Sequence, residues 1–388
     1  MMVLSVLVAL GCLAFCIRFL RQAHDAGKLQ LLADVDAPAP PTWPRLSVVI
    51  AACNEVATLE QALATVLADD YPALEIVLVD DRSTDGTGAL IDRMAATDAR
   101  IRPVHIEHLP DGWLGKVNAL ERGVRDATGE YLLFTDADVH FRPGALRRAV
   151  ALCRQRAVDH LVVLPDARSG TLLEEVAINA MGAVYLRRTR AVHVENPRAR
   201  ACAGVGAFNL VRRDTLLASE GLAWLRMEVL DDVGLGVLLR RAGARSAFLI
   251  GTDTVSLTWY ASLRDMAGGV EKNLFGWLAR YDLFRLGASI LGTLALLLAP
   301  VLAPFLPGPA PLWLGSVLAG LSLILSALVV ARRTRRRLLP LMMQPLGELI
   351  IAALTVRSAV QCLRRDGIVW RGTAYPLTAL RAGQRVRL

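Results

Sequence analysis

Long apolar runs near both ends of the chain constrain its fold more than any other feature of the sequence. Residues 2–17 form one run, and residues 286–306 and 312–331 form two more, separated by the turn sequence PGPAP at 307–311. About 20 consecutive apolar residues suffice for a helix to cross the hydrocarbon core of a bilayer. Hydrophobic residues make up 54% of the chain, more than an ordinary soluble protein carries. The sequence therefore predicts N-terminal and C-terminal transmembrane helices.

Basic residues flanking the apolar runs predict their orientation. Arg18, Arg21 and Lys28 come after the first run instead of preceding it, which favours an uncleaved anchor over a signal peptide. The positive-inside rule then places the chain beyond this anchor on the cytoplasmic side. We predict a membrane anchor over 1–22 and a proline-rich linker over 23–44.

The basic run RRTRRR at 332–337 is expected on the same side of the membrane. Residues 338–360 form a third apolar segment that carries prolines and charges, and a spanning helix and a re-entrant element both remain open for it. The prediction is a multi-pass protein of the cell (inner) membrane with a cytoplasmic catalytic domain. The net charge of +8 suits an anionic membrane surface or anionic substrate, and no nucleic-acid-binding motif accompanies it.

Residues 45–285 have the pattern of an α/β domain. Short β-branched runs at 46–53, 74–81, 131–139 and 159–167 alternate with helical patterns such as 55–69. Such alternation predicts a mainly parallel sheet. Ligands of parallel sheets bind beyond the carboxyl ends of the strands. Several carboxylates come directly after the predicted strands at that edge.

Asp80 and Asp81 end the second predicted strand, in the stretch VLVDDRSTDGT. Carboxylates at this position can accept hydrogen bonds from a nucleobase or a ribose. An N-capping turn before the next helix would give the same pattern. The motif alone does not separate these two interpretations.

Lys116 lies in DGWLGKVNALERG, at the start of a helical pattern. A lysine at a helix N-terminus is unfavourable for the helix dipole unless an anion, such as a diphosphate, lies nearby. A solvated loop lysine is the alternative.

Asp136 and Asp138 lie in LLFTDADVHF, two residues apart. On an extended segment they would point to the same side and could hold a hard cation, Mg²⁺ or Mn²⁺, shared with substrate phosphates. A polar strand end is the structural alternative.

Asp231 and Asp232 begin a helical pattern in MEVLDDVGLGVLLRRAG. A carboxylate there could act as a general base on an acceptor hydroxyl, or simply cap the helix. Gly204 and Gly206 belong to the glycine-rich stretch CAGVGAFNLVRRD, which permits close approach to a ligand or a plain turn.

The order of these motifs over residues 45–285 resembles the family 2 glycosyltransferases, which have a nucleotide-sugar-binding fold of the GT-A type. The resemblance implies that VVIAACNE carries the family's Asn-Glu pair, VDDRSTDGT its nucleotide motif, WLGK its diphosphate-side lysine and DAD its metal motif. LDDVGLG would be its Glu-Asp helix, with an aspartate replacing the glutamate. The implied roles are donor binding by Asn54, Glu55, Asp80, Asp81, Lys116 and Asp136, metal binding by Asp136 and Asp138, and catalysis by Asp232 with Asp231.

A motif of processive members, Gln/Arg-X-X-Arg-Trp, lacks its arginine in the corresponding stretch VEKNLFGWLARYD, where Trp277 stands in for the tryptophan. GWLGK, EKNLFGW and VWRGTAY are instead similar to the lipid-glycosylating subgroup that includes ceramide glucosyltransferases and hopanoid- and carotenoid-associated enzymes. With Gly204 and Gly206, Trp277 is assigned to the acceptor side. The implied partners are a nucleotide-sugar donor, a membrane lipid acceptor and the bilayer, with no nucleic acid.

The resemblance thus implies a metal-dependent, inverting transfer of a sugar to a lipid hydroxyl. Three alternatives stay open at this stage. The chain could be a processive polysaccharide synthase, a phosphatase of the haloacid dehalogenase type, whose Asp-X-Asp motif DADV also fits, or a non-catalytic nucleotide-sugar-binding membrane protein.

Overall fold

The computed structural model of the protein describes residues 2–260, 262–307 and 311–388. The chain forms two compact units. The α/β unit comprises Gln30–Arg168, Thr189–Trp259 and Val369–Leu388, and the helical unit comprises Met1–Leu29, Ser169–Arg188 and Tyr260–Ile368. Residues 169–188 and 260–285, predicted within the catalytic domain, therefore group with the apolar helices. The centre of the predicted turn at 307–311 lies outside the described residues.

Strands and helices alternate along the α/β unit, as the sequence predicts. The strands are β1 (Leu46–Ala52), β2 (Leu74–Asp81), β3 (Ile101–Ile106), β4 (Tyr131–Asp136), β5 (His140–Phe141), β6 (His160–Leu164), β7 (Asp166–Arg168), β8 (Asn209–Arg212), β9 (Ser246–Ile250), β10 (Val255–Thr258), β11 (Gly367–Trp370) and β12 (Thr373–Pro376). The helices are α1 (Met2–Ala26), α2 (Leu59–Leu67), α3 (Thr87–Thr97), α4 (Gly115–Asp126), α5 (Ala145–Arg156), α6 (Leu172–Thr189), α7 (Arg213–Leu217), α8 (Asp231–Arg241), α9 (Leu263–Gly269), α10 (Glu271–Ala279), α11 (Leu283–Leu302), α12 (Trp313–Thr334), α13 (Leu338–Met342), α14 (Gln344–Arg364) and α15 (Leu377–Gly383).

The central sheet of the described residues has seven strands in the order β3-β2-β1-β4-β8-β6-β9. Strand β8 runs antiparallel to both β4 and β6, and the other neighbouring pairs are parallel. The prediction of a mainly parallel sheet is confirmed. Strand β8 lies within 202–214, where the glycines predict a loop, so that prediction is incomplete. A smaller sheet has the order β5-β10-β7.

Both faces of the central strands are covered. Val48 and Ile50 of β1 belong to the same buried cluster as Leu59 of α2, whereas Gly123 of α4 lies directly against Val49. Parallel strands covered on both faces need continuous apolar sequences instead of alternating ones. This explains the continuous apolar runs VVIAA in β1 and IVLV in β2.

The segment between α1 and β1 is partly built into the α/β unit, although the sequence predicts a linker there. Leu31 pairs with Ile250 at the end of β9. Leu32 is fully buried in the core of the α/β unit. The apolar residues in this stretch of chain therefore add to the sheet and its core.

His160 makes a buried polar link across three strands. Its Nε2 lies 3.2 Å from Asn209 Oδ1 on β8, and its Nδ1 lies 3.2 Å from Ser246 Oγ on β9. A neutral ring satisfies both contacts by donating to Asn209 and accepting from Ser246. Burial lowers the pKa of His160 to about 4.

The His160 pKa makes stability depend on pH. An unfolded histidine has a pKa of about 6.5, so the unfolded chain binds more protons than the folded one as pH falls from about 6.5 to 4. Between pH 7 and pH 5 we expect a loss of about 2 kcal/mol in the free energy of unfolding from this residue. Urea unfolding of the detergent-solubilised protein at pH 7 and pH 5 measures it. His160→Gln should flatten the pH dependence, whereas exposed His108→Gln should leave it unchanged; equal slopes in all three proteins would contradict the assignment.

The helical unit contains four described helices long and apolar enough to cross a membrane: Met2–Ala26, Leu283–Phe305, Trp313–Thr334 and Gln344–Arg364. The helices predicted at both ends of the chain are thus present. The third apolar segment, left open at 338–360, divides into α13 and the longer α14. Pro345 lies in the first turn of α14, where its missing N–H disrupts no helical hydrogen bond.

A polar cluster links α1 and α14 within the helical unit. Arg18 donates to Glu348, whose side chain is 4% exposed. Gln344 donates to Glu348 Oε1 at 3.0 Å, and Gln22 donates to Gln344 Oε1 at 2.7 Å. Glu348, one of the charges within the third segment, is therefore neutralised by Arg18 of the first helix.

Removing one partner of this ion pair is expected to destabilise the helical unit. Glu348→Gln leaves the arginine charge buried and unpaired, at a cost of about 3–5 kcal/mol. Thermal unfolding in detergent should show a clearly lower Tm, and Arg18→Met combined with Glu348→Leu should recover much of it. Arg337→Gln, which breaks an exposed pair with Glu175, is the control and should change Tm little. An unchanged Tm in Glu348→Gln would show that the pair contributes nothing.

Candidate active site

The carboxyl ends of β1, β2 and β4 bring the predicted motifs to one edge of the sheet. Strand register places Ala52 beside Asp80 and Ala51 beside Asp136. The loop with Asn54 and Glu55 comes directly after β1. Three of the predicted motifs are therefore neighbours because of strand order, as expected for a site at the carboxyl edge.

Asn54 ties the loop after β1 to the loop after β2. Its Oδ1 accepts a hydrogen bond from the Thr84 N–H at 2.8 Å, and its own N–H donates to Ser83 Oγ at 3.0 Å. Its backbone is in the left-handed region, with φ of 57°. Asparagine tolerates this conformation better than most residues. These contacts give Asn54 a role in holding the loop, and its predicted contact with a donor stays a prediction.

Asp80 and Asp81 have different surroundings. Asp80 accepts a hydrogen bond from the Ser83 N–H at 3.2 Å, which is the turn-forming role left open by the sequence. Asp81 is 4% exposed and pairs with Arg82, whose Nε and Nη2 lie 2.8 and 3.2 Å from its two oxygens. Both carboxylates are therefore already engaged by neighbouring residues. Arg82 was missed as a site residue, although it lies inside the motif.

Asp136 ends β4, and Asp138 lies in the turn after it. The prediction that both lie on one extended segment is wrong, because the strand stops at Asp136. The two are nevertheless close enough to interact: burial, followed by Asp136 and Glu55, raises the pKa of Asp138 to about 6. The turn thus concentrates negative charge at the end of β4.

Lys116 lies between two of the acidic motifs. Its Nζ donates to Asp136 Oδ1 at 2.6 Å and lies 3.6 Å from Asp231 Oδ2. Burial alone would lower the pKa of Lys116, but Asp136 and then Asp231 outweigh burial and raise it. Carboxylates from β4 and α8 thus compensate the unfavourable position at the start of α4. A bound anion is not needed to explain the lysine.

Asp231 and Asp232 occupy the first turn of α8. Asp232 accepts hydrogen bonds from the Val233 N–H at 2.7 Å and the Gly206 N–H at 2.9 Å. Burial and then Asp231 raise the pKa of Asp232 to about 7, while Lys116 opposes the rise. A carboxylate with a pKa near neutrality is suited to accept a proton at working pH.

The glycine-rich stretch brings its backbone against both acidic motifs. A Cβ on Gly206 would lie 2.5 Å from Asp136 Oδ2, and one on Gly204 would lie 1.8 Å from the Asp232 carbonyl oxygen. Side chains at these two positions would push the motifs apart. Gly204 and Gly206 thus permit the close packing of the site, and their assignment to the acceptor side stays a prediction.

Trp277 lies on α10 in the helical unit. Its side chain is half-buried beside the cluster of Met266, Leu274 and Ile351. In the described part of the chain its indole Nε1 has no hydrogen-bond partner. This packing gives no direct support to an acceptor role.

The side chains at the end of β4 are suitable ligands for a hard divalent cation. Asp136 and Asp138 offer carboxylate oxygens, and the pKa of Asp138 is raised first by burial and then by the negative charges of Asp136 and Glu55, which a cation would offset. Across residues 2–260, 262–307 and 311–388, no three His, Cys, Asp or Glu side chains group closely enough to hold a metal ion by themselves. The two carboxylates suit Mg²⁺ or Mn²⁺, which commonly take remaining ligands from substrate phosphates and water.

The fold is that of the GT-A class, with a mainly parallel sheet and the acidic motifs at its carboxyl edge. The solved structure of the mannosyltransferase PcManGT from Pyrobaculum calidifontis, determined with GDP-Man and Mn²⁺, superposes with a TM-score of 0.50 at 19% identity, covering 92% of this chain and 97% of that one. At this identity the likeness supports the fold alone.

The model of glycosyl transferase family 2 matches residues 47–234, a little under half of the chain. The chain is 34% identical over 149 residues to the succinoglycan biosynthesis protein ExoO of Rhizobium meliloti, covering 37% of this chain and 41% of that protein. It is 32% identical over 103 residues to the GalNAc(5)-diNAcBac-PP-undecaprenol beta-1,3-glucosyltransferase of Campylobacter jejuni, covering 26% and 32%. The chain spans less than half the length of either relative.

Proposed function

We propose that the protein is a membrane-bound glycosyltransferase that moves a sugar from a nucleotide-sugar donor to a hydroxyl of a lipid. The observation that carries this proposal is the position of Lys116, with Nζ 2.6 Å from Asp136 and 3.6 Å from Asp231. These contacts join the metal motif to the catalytic motif at one edge of a family 2 fold. Each motif alone also fits a structural interpretation, whereas their meeting at Lys116 favours a glycosyltransferase site.

The donor would lie across the carboxyl edge of the sheet. By family likeness, Glu55 and Asp81 contact the base and ribose, and Lys116 approaches the diphosphate. Asp136 and Asp138 would hold Mg²⁺ or Mn²⁺, and the cation would offset the negative charge of the departing diphosphate. The carboxylates of this edge would repel an anionic ligand, and such a cation would offset that repulsion.

Asp232 would act as the general base. The acceptor hydroxyl gives its proton to the Asp232 carboxylate while its oxygen bonds to the anomeric carbon. The bond from that carbon to the diphosphate oxygen breaks, and the nucleoside diphosphate leaves with the electron pair. A single displacement of this kind inverts the anomeric configuration. The pKa of about 7 lets Asp232 hold the proton transiently.

A lipid acceptor is supported by the four apolar helices and by local sequence. EKNLFGW and VWRGTAY are similar to the lipid-glycosylating subgroup of ceramide, hopanoid and carotenoid enzymes. The Campylobacter relative is named for a sugar chain linked through a diphosphate to undecaprenol. With RRTRRR on the cytoplasmic side, the enzyme would be a multi-pass protein of the inner membrane with a cytoplasmic active site.

A processive synthase would use the same donor site. One relative, the poly-beta-1,6-N-acetyl-D-glucosamine synthase of Staphylococcus epidermidis, is 33% identical over 94 residues. The missing arginine of the processive motif favours single transfer. Product length separates the two activities.

Lipid mass spectrometry tests the proposal. Membrane lipids from cells expressing the wild-type chain should contain a new species heavier by one sugar residue, absent from cells expressing Asp232→Asn at equal protein level. A polymer in place of the glycolipid would support the processive alternative. No new sugar-containing product, together with no turnover of sugar nucleotides by the purified protein, would contradict the glycosyltransferase proposal.

A further inference from the structure

The last twenty residues of the chain, Val369–Leu388, belong to the α/β unit although they come after the last apolar helix in sequence. We call them the C-terminal segment. Strands β11 and β12 are joined by the two-residue tip Arg371–Gly372. Both tip residues have positive φ, 49° for Arg371 and 78° for Gly372. This is the pattern of a tight type I′ hairpin, in which Asn-Gly is favoured and arginine is a costly first residue.

Three side chains of the hairpin contact three donor motifs. Arg371 donates to Glu55 Oε1. Nη1 of Arg82, the partner of Asp81, donates to Thr373 Oγ1 at 3.4 Å. The Gly115 N–H, next to Lys116, donates to the Tyr375 hydroxyl oxygen at 3.1 Å. The hairpin therefore touches the loops after β1 and β2 and the start of α4.

The rest of the C-terminal segment is firmly attached to the same unit. The N–H groups of Arg385 and Val386 donate to Glu228 Oε2 at 2.6 and 2.8 Å. Leu377 and Leu380 are buried, and the Arg385 guanidinium lies 5.5 Å from the Trp224 ring centroid. The position of the hairpin is thus set by contacts away from the site, and losing one tip side chain should not detach it.

Arg371 brings a positive charge to an acidic edge. Glu55, Asp80 and Asp81 lie where an anionic nucleoside diphosphate is proposed to bind. Burial and then Asp81 raise the pKa of Cys53, next to this edge, whereas Arg371 and Arg82 lower it. The charge of Arg371 therefore acts on the strand ends as well as on Glu55.

We propose that Arg371 is a positioning residue for the donor: it fixes the Glu55 carboxylate and offsets the negative charge of this edge when a nucleoside diphosphate binds. This inference rests on the proposed function. A tail that only packs on the domain would not need a charged residue in a strained tip position. The proposal makes donor affinity depend on a residue 316 positions away from Glu55 in sequence.

Arg371→Asn is the sharpest test, because asparagine suits the first position of a type I′ turn and removes the charge. Binding of UDP, GDP, CDP, ADP and dTDP in MgCl₂ is measured by calorimetry on the full chain in nanodiscs. A charge-assisted contact of this kind corresponds to about a tenfold or greater loss of affinity. Arg371→Lys should recover part of the affinity. Arg387→Gln, in the same segment but away from the hairpin, should bind like the wild type.

Two further measurements distinguish donor positioning by Arg371 from a purely structural role of this side chain. In Arg371→Asn the KM for the sugar nucleotide should rise about tenfold, in line with the affinity, while kcat changes less and Tm stays within error of the wild type. In a Glu55→Gln background the same substitution should weaken binding far less. Wild-type affinity in Arg371→Asn, or a loss equal in both backgrounds, would overturn the inference. Failure of the wild type to bind any of the five diphosphates would instead contradict the proposed function, and the inference with it.

Discussion

Asp232→Asn is expected to lower kcat by about 10²–10⁴-fold, the usual contribution of general-base catalysis. The amide can keep the hydrogen bond from the Gly206 N–H through its oxygen but cannot take the acceptor proton. The affinity for nucleoside diphosphate should change much less, because Asp232 acts on the acceptor. Steady-state release of nucleoside diphosphate, with donor and lipid varied separately, measures the effect.

Asp231→Asn is the matched control for this substitution. Asp231 lies 3.6 Å from Lys116, so its charge is compensated and it is the weaker candidate for the base. Its replacement should reduce kcat by less than Asp232→Asn does. Equal losses in the two variants, or full activity in Asp232→Asn, would remove Asp232 as the base.

Lys116→Met is the second substitution with a large expected effect. It leaves Asp136 and Asp231 without the ammonium group that lies within 4 Å of both. The loss of a preorganised positive charge near the leaving group is expected to reduce kcat/KM by about 10²–10³-fold. Both the affinity for the donor and kcat should fall in Lys116→Met. In Arg371→Asn, by contrast, mainly the affinity for the donor should fall.

The control for Lys116→Met is Lys28→Met, which removes an exposed lysine close to α1. It should retain wild-type kcat/KM. Lys116→Arg keeps the charge with a larger, planar head group and should recover part of the activity. Wild-type kcat/KM in Lys116→Met would show that the lysine only balances the carboxylates.

The strand pattern and the motif order were predictable because both depend on local sequence. Runs such as IVLV at 76–79 are continuously apolar because helices cover both faces of the sheet, and the carboxyl ends of these strands meet at one edge. Strand β8 was harder to predict, since it has four residues and takes its partners β4 and β6 from distant parts of the chain. The turn at Asp138 also depends on tertiary packing that alternation along a strand does not reveal.

The contacts that sequence reasoning missed join residues far apart in the chain. Arg371 and Glu55 are 316 positions apart, and Arg18 and Glu348 are 330 apart. A charge in an apolar segment predicts the need for a partner but not the identity of that partner. The VWRGTAY motif was found by its likeness to other proteins, and only the fold connects its arginine to the donor edge.

The most direct test of the proposed mechanism is the release of nucleoside diphosphate by purified protein in nanodiscs, with sugar nucleotide and membrane lipid extract supplied separately and together. The mechanism predicts release that requires the lipid extract, stops with EDTA, returns with Mg²⁺ or Mn²⁺, and is lost in Asp232→Asn. Asp214→Asn, at a 78% exposed side chain, should behave like the wild type. Release that is unaffected by EDTA would contradict the metal role, and no release from any sugar nucleotide in the presence of lipid would contradict the central claim.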